Sequence, residues 1–151
     1  MELLDYERSH LEKLRKDLAG CTVLLKTDGA FPLPGPCPIA LYGSGARHTV
    51  KGGTGSGEVN SRFFVTAEEG LEAAGFTLTT KAWMNGYDSI RSKARNAFLK
   101  QMRANVCRNF AAITESMGKV MPEPEYEMPL SFYGETAVYV LARNSGEGSD
   151  R

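Results

Sequence analysis

An apolar run that ends abruptly in glycine constrains this chain more than any other feature. Pro38-Ile39-Ala40-Leu41-Tyr42 reads as a fully buried strand, bounded by turn residues. Six glycines then fall between Gly43 and Gly57, interleaved with Ser44, Thr49, Thr54 and Ser56. A loop so poor in side chains can approach a ligand at backbone distance. A second run, Ala137-Val138-Tyr139-Val140-Leu141-Ala142, also reads as a buried strand, and it ends in a small polar loop from Arg143 to Arg151. If both strands lie parallel in one sheet, both loops leave from its carboxyl edge, where open α/β sheets place their ligands. That edge is the candidate site.

A chain of 151 residues with 42% apolar and 24% charged side chains suits one globular domain with one core. Eighteen basic and eighteen acidic side chains cancel, so no net field draws the molecule to nucleic acid or to a membrane. No apolar run reaches the length of a bilayer span. The start, Met1 to Tyr6, lacks the basic and apolar regions of a signal peptide, so the expected compartment is the cytosol. Cys21, Cys37 and Cys107 form no CxxC pair, and His10 and His48 add no zinc spacing. They are expected to be small buried apolar groups rather than metal ligands or redox centres.

In chain order, Leu4, Leu11, Leu14 and Leu18 recur at helical spacing and predict an amphipathic helix over residues 3–19. Cys21 to Leu25 either extends that helix or starts a strand. Thr27-Asp28-Gly29 turns the chain, and the prolines between Phe31 and Pro36 forbid a central strand. After the glycine loop, Thr66-Ala67-Glu68-Glu69 has the form of a capping box, with Gly75 placed as a helix stop. Phe76 to Thr80 alternates as a strand with one covered face would. Strand, loop, helix and strand make a βαβ unit with a right-handed crossover.

From Lys81 to Met117 apolar residues step by three or four, from Trp83 through Tyr87, Phe98 and Phe110, and predict one long helix with a bend near Gly86. Arg91, Lys93, Arg95, Lys100, Arg103 and Arg108 lie on its other face. They read as a solvated surface in preference to a nucleic-acid stripe, because the net charge is zero. Gly118 closes the helix, and the proline-spaced acidic stretch from Pro122 to Pro129 crosses the surface. The fold class is therefore α/β, a largely parallel sheet flanked by helices. Its three or four strands are few for a doubly wound domain, so residues 1–151 are expected to form a single partial domain.

Gly43-Ser44-Gly45 is followed by His48 where a dinucleotide fingerprint wants glycine or alanine, and Lys51 precedes the glycines instead of following them, so a phosphate cradle is not favoured. Glu147, between Gly146 and Gly148 just past the second strand, can project across the sheet edge as a proton donor, or it can be a solvated loop glutamate. Asp150 and Arg151 can pair and set that loop's shape. Glycoside cleavage needs a second carboxylate, and Glu58 and Asp28 are the loop candidates near the right elements.

Four ordered segments carry a resemblance. Val23-Leu24-Leu25-Lys26-Thr27-Asp28-Gly29-Ala30-Phe31-Pro32-Leu33, Ile39 to Ala46, Lys51-Gly52-Gly53-Thr54-Gly55-Ser56-Gly57-Glu58-Val59-Asn60, and Ser145-Gly146-Glu147-Gly148-Ser149-Asp150-Arg151 resemble the second domain of glycoside hydrolase family 3, the β-glucosidase family. Members of that family join a (β/α)8 barrel bearing an aspartate nucleophile to an α/β sandwich domain that lends loops to the active site. The resemblance implies that Glu147 is the general acid/base and that Lys51, Gly52, Gly53, Thr54, Gly55, Ser56 and Gly57 lie beside the sugar. It implies retaining hydrolysis of terminal β-linked glucosides without a metal or organic cofactor.

The barrel and its Ser-Asp-Trp motif are absent, since Trp83 follows Ala82. A reversed-order enzyme, or a piece of one, fits a Met1 placed ahead of the sandwich domain, and the chain is expected to be inactive alone. Its expected partners are a carbohydrate substrate, the missing barrel and, through a bare sheet edge, a second copy. The competing expectation is a carbohydrate-binding or scaffolding module without hydrolysis.

Overall fold

In the computed structural model, which describes residues 2–52, 57, 59–107, 110–116, 119–130 and 136–143, the chain divides into two units, Met1–Gly35 and Pro36–Arg151. The first unit holds α1 (Asp5–Asp17), continued by a 3-10 turn over Leu18–Cys21. The Glu7 carboxylate accepts the Leu4 N–H at 2.8 Å and caps its start. None of the α1 residues is buried, and Leu4, Leu14 and Leu18 are exposed. Beyond Thr22 the chain takes neither of the two expected forms, since residues 22–28 have no regular structure. The Asp28 side chain then accepts the Ala30 N–H at 3.1 Å, and Gly29 takes a φ of 95° that favours glycine, which makes the expected turn.

The second unit is the α/β one. Its elements are β1 (Pro38–Tyr42), α2 (Ala67–Ala73), β2 (Thr77–Leu78), α3 (Lys81–Val106), α4 (Phe110–Ser116) and β3 (Ala137–Tyr139). The sheet order is β2-β1-β3 and both pairings are parallel. Pro38 pairs with Thr77, and Tyr42 pairs with Tyr139. The core sits on the central strand. Ile39, Ala40 and Leu41 are fully buried, and Met84 and Tyr87 of α3 are nearly so. This is the α/β arrangement that the sequence predicts.

Local chemistry explains the element ends. Thr66 caps α2 through its hydroxyl, which accepts the Glu69 N–H at 3.2 Å, while Glu69 accepts the Thr66 N–H at 2.8 Å. The Thr66 N–H first, and then the Thr66 hydroxyl, which donates to the same carboxylate at 3.0 Å, hold the Glu69 carboxyl below its usual pKa. Gly75, with φ 94°, ends the helix. β2 is short, and where its backbone pairing ends a side chain continues it. The buried Thr80 hydroxyl accepts the Leu41 N–H at 2.8 Å and donates to the Leu41 carbonyl at 2.6 Å.

Three features differ from what the sequence predicts. The helix after β2 is not continuous to residue 117: α3 ends at Val106 and caps at Cys107, and α4 begins at Phe110. It runs unbroken through Gly86, where a Cβ would lie 2.8 Å from Met128 Cε, so the glycine makes room for the connection packed against it. The cysteines are not buried, since Cys21 and Cys107 are exposed and Cys37 is half-buried. β3 is not a buried strand: Tyr139, and Leu141 just past it, are exposed, because among the described residues β3 is an edge of the sheet with a strand partner on one side. Among the described residues no helix is long and apolar enough to cross a membrane. Gly118 lies outside the described residues.

Candidate functional site

The carboxyl ends of β1 and β3 are adjacent, as the sequence predicts for its two loop-bearing strands. At the end of β1, Gly43 turns with φ 93°, and residues Ser44–Ala46 form a buried 3-10 turn. A Cβ at Gly43 or at Gly45 would collide with the Val140 carbonyl, and the Gly45 N–H donates to that carbonyl at 3.0 Å. The first two glycines of the loop are therefore explained by the close passage of the β3 chain rather than by a ligand.

The next residues fasten the loop to both neighbouring helices. Arg47 donates through Nε and Nη2 to Glu68 of α2 at 2.5 and 3.0 Å, and through Nη1 to Asp88 of α3 at 2.6 Å and Asn85 at 2.8 Å. The Glu68 hydrogen bond raises the guanidinium pKa most, partial burial opposes it, and Asp88 raises it further. His48 Nε2 lies 3.1 Å from Asp88 Oδ1. The Thr49 hydroxyl donates to the Gly45 carbonyl at 2.6 Å and accepts the Ala67 N–H, the first of α2, at 3.1 Å. Sequence reading missed this network because Arg47, Glu68 and Asp88 are far apart in the chain and individually unremarked.

Lys51 is exposed, with Nζ 3.1 Å from Ser61 Oγ and 5.6 Å from the centre of the Phe64 ring. The backbones of Gly52 and Gly57 approach so closely that a Cβ on Gly52 would lie 2.7 Å from the Gly57 carbonyl oxygen. The loop thus has a narrow neck. Gly53, Thr54, Gly55, Ser56 and Glu58 lie outside the described residues, as do Glu147, Asp150 and Arg151. Asp28 belongs to the first unit, where its carboxylate is engaged in its own turn.

A second hollow lies at the ends of β1 and β2. It is a cleft of about 250 Å³ lined by Tyr42, Thr79, Thr80, Ala82, Trp83, Met128 and Pro129. The Thr79 hydroxyl donates to Ile39 and that of Thr80 serves Leu41, so the cleft offers mainly apolar surface. Beside it Tyr42 meets Trp83 edge-on at 5.2 Å, and Trp83 stacks on Tyr87 at 5.7 Å with 3° between planes. Tyr126 closes the cluster, 5.3 Å from Tyr87, and its hydroxyl lies 3.0 Å from that of Tyr139 on β3. The Tyr87 hydroxyl donates to Glu123, and burial first and then this bond raise its pKa. The buried Trp83 indole N–H has no acceptor among the described residues. In the sequence Trp83 and Tyr87 are visible only as the apolar face of a helix, and Tyr42 and Tyr126 belong to separate segments that nothing local joins to it. Among the described residues no group of His, Cys, Asp and Glu could hold a metal ion.

Compared with known proteins, the chain is 30% identical to Beta-glucosidase A of Butyrivibrio fibrisolvens in an alignment of 153 positions that covers 99% of this chain. It spans 17% of the length of that protein. No family model matches the chain, and no solved structure matches it. What the chain resembles is thus one part of a glucosidase, seen at a distance.

Proposed function

We propose that this chain is a sandwich-domain part of a retaining β-glycosidase of the glycoside hydrolase family 3 kind, and that it supplies the acid/base loop for cleavage of terminal β-linked glucosides. The observation that carries the reading is the parallel pairing of β1 with β3, which sends the glycine loop and the segment after residue 143 from one edge of the sheet. The similarity to Beta-glucosidase A supports it independently.

In this reading Glu147 protonates the glycosidic oxygen as an aspartate from a separate barrel attacks the sugar's anomeric carbon. The glutamate then takes a proton from the water that hydrolyses the glycosyl ester. Residues 51–57 form a wall beside the sugar, and Asp150 and Arg151 shape the acid/base loop. Without the barrel no covalent intermediate forms, so the 151-residue chain alone turns over no glucoside.

Glu147→Gln in the protein as its gene encodes it tests the assignment. Alkyl glucosides should lose about 100-fold or more in kcat/KM. Aryl glucosides with good leaving groups should keep most of their glycosylation rate, because they depart without a proton. Equal losses on both substrates would remove Glu147 from the acid role. Glucoside binding by the wild type without any turnover would favour the non-catalytic module.

A further inference from the structure

We propose that Arg47 is a positioning residue that locks the root of the glycine loop to α2 and α3 together, so that Lys51 meets a glucoside from a fixed base. This inference rests on the glycosidase reading for its substrate, and on geometry alone for the lock. An ordinary surface ion pair joins two side chains and contributes little. Arg47 instead places three nitrogens on Glu68, Asp88 and Asn85, which belong to two different helices. The side chains of Arg47 and Glu68 are only 22% and 13% exposed, so water competes weakly for the fork. Neighbouring residues repeat the attachment. His48 reaches the same Asp88, and Thr49 bridges the Gly45 carbonyl and the first amide of α2. After these three consecutive ties come Val50 and Lys51, both exposed. The ties thus end where the proposed sugar wall begins.

The planar guanidinium is what the arrangement requires. A lysine ammonium is a single point and cannot span two carboxylates and an amide on separate elements. The test compares wild type, Arg47→Lys and Arg47→Ala in the protein as its gene encodes it. Amide exchange at His48 and Ala67, whose N–H groups are bonded within the fastened loop, should quicken about tenfold in both variants. Exchange at Thr79, bonded to Ile39, should stay at its wild-type rate. Millimolar methylguanidinium should restore slow exchange in Arg47→Ala and not in Arg47→Lys, a rescue that general destabilisation would not give.

With p-nitrophenyl β-glucoside, KM should rise about tenfold while kcat changes less, the pattern of lost positioning rather than lost chemistry. Uniform loosening of His48, Ala67 and Thr79, or exchange that quickens with KM unmoved, overturns the proposal. If the wild type neither binds nor cleaves the glucoside, the glycosidase reading falls, and the exchange and rescue results alone decide the lock. Should Arg47→Ala fail to fold, Asp88→Asn, which removes one charge and keeps an acceptor, must loosen His48 ahead of Thr79 or the lock is refuted.

Discussion

β1 and β3 are neighbours with similar sequences and opposite circumstances. Ile39, Ala40 and Leu41 of β1 have no exposed surface, whereas Tyr139 and Leu141 at the end of β3 are 51% and 69% exposed. Among the described residues β1 has a strand on each side and α3 packed on it, while β3 has β1 as its one strand neighbour. An apolar run in the sequence therefore marks a strand, but the number of neighbours decides how much of it is buried. The consequence is functional as well as structural. One candidate loop leaves a sealed strand and is pinned by Arg47. The other leaves the edge strand, where the Tyr126 and Tyr139 hydroxyls meet at 3.0 Å.

The sharpest way to break this comparison is a pair of core truncations. Leu41→Ala should cost about 3–4 kcal/mol, since a fully buried leucine leaves a cavity at the centre of the sheet. Val138→Ala on half-buried β3 should cost about 1 kcal/mol. Urea unfolding of both variants checks this, and equal costs would show that β3 is as enclosed as β1.

Thr80→Val sharpens the account of why β1 is sealed. It keeps the shape and deletes the hydroxyl that serves both backbone groups of Leu41, and about 2 kcal/mol should be lost. A loss below a few tenths would mean that water or another group satisfies Leu41.

The smallest effect belongs to the edge. The hydrogen bond to Tyr139 first, and burial second, push the Tyr126 phenol up to about 12. Its folded-state pKa lies above the free value of about 10, so its contribution to stability is complete below that pH and fades as pH rises towards 12. Absorbance titration near the phenolate band should show late-ionising tyrosines, Tyr87 among them, and one fewer in Tyr126→Phe. A titration unchanged by that substitution would detach Tyr126 from the edge.

Much of this fold was legible in the chain because local signals agree with it. The Thr66 capping box, the Gly75 stop, the proline-to-glycine bounds of β1 and the spacing of α1 each state a short-range physical rule. The misreadings occur where distant partners decide. Apolar periodicity runs on past Cys107, and nothing in it marks the break between α3 and α4. The cysteines read as buried because small apolar residues usually are, yet Cys21 and Cys107 sit on element ends that nothing covers among the described residues. For the candidate site, the strands and their adjacency could be read, and the Arg47 network could not. Its one local hint is a lone cation in a run of small residues directly after a buried strand.

The Arg47 fork also sets an order of events during synthesis. Its acceptors lie 21, 38 and 41 residues downstream, and a chain emerges from the ribosome amino end first. β1 and the loop behind it are made before either anchoring helix exists, so the guanidinium remains hydrated until Asp88 has cleared the exit tunnel and α3 has coiled. A translational pause between codons 47 and 88 would lengthen the life of an unfastened loop beside a bare strand, the state most open to mispairing with another nascent chain.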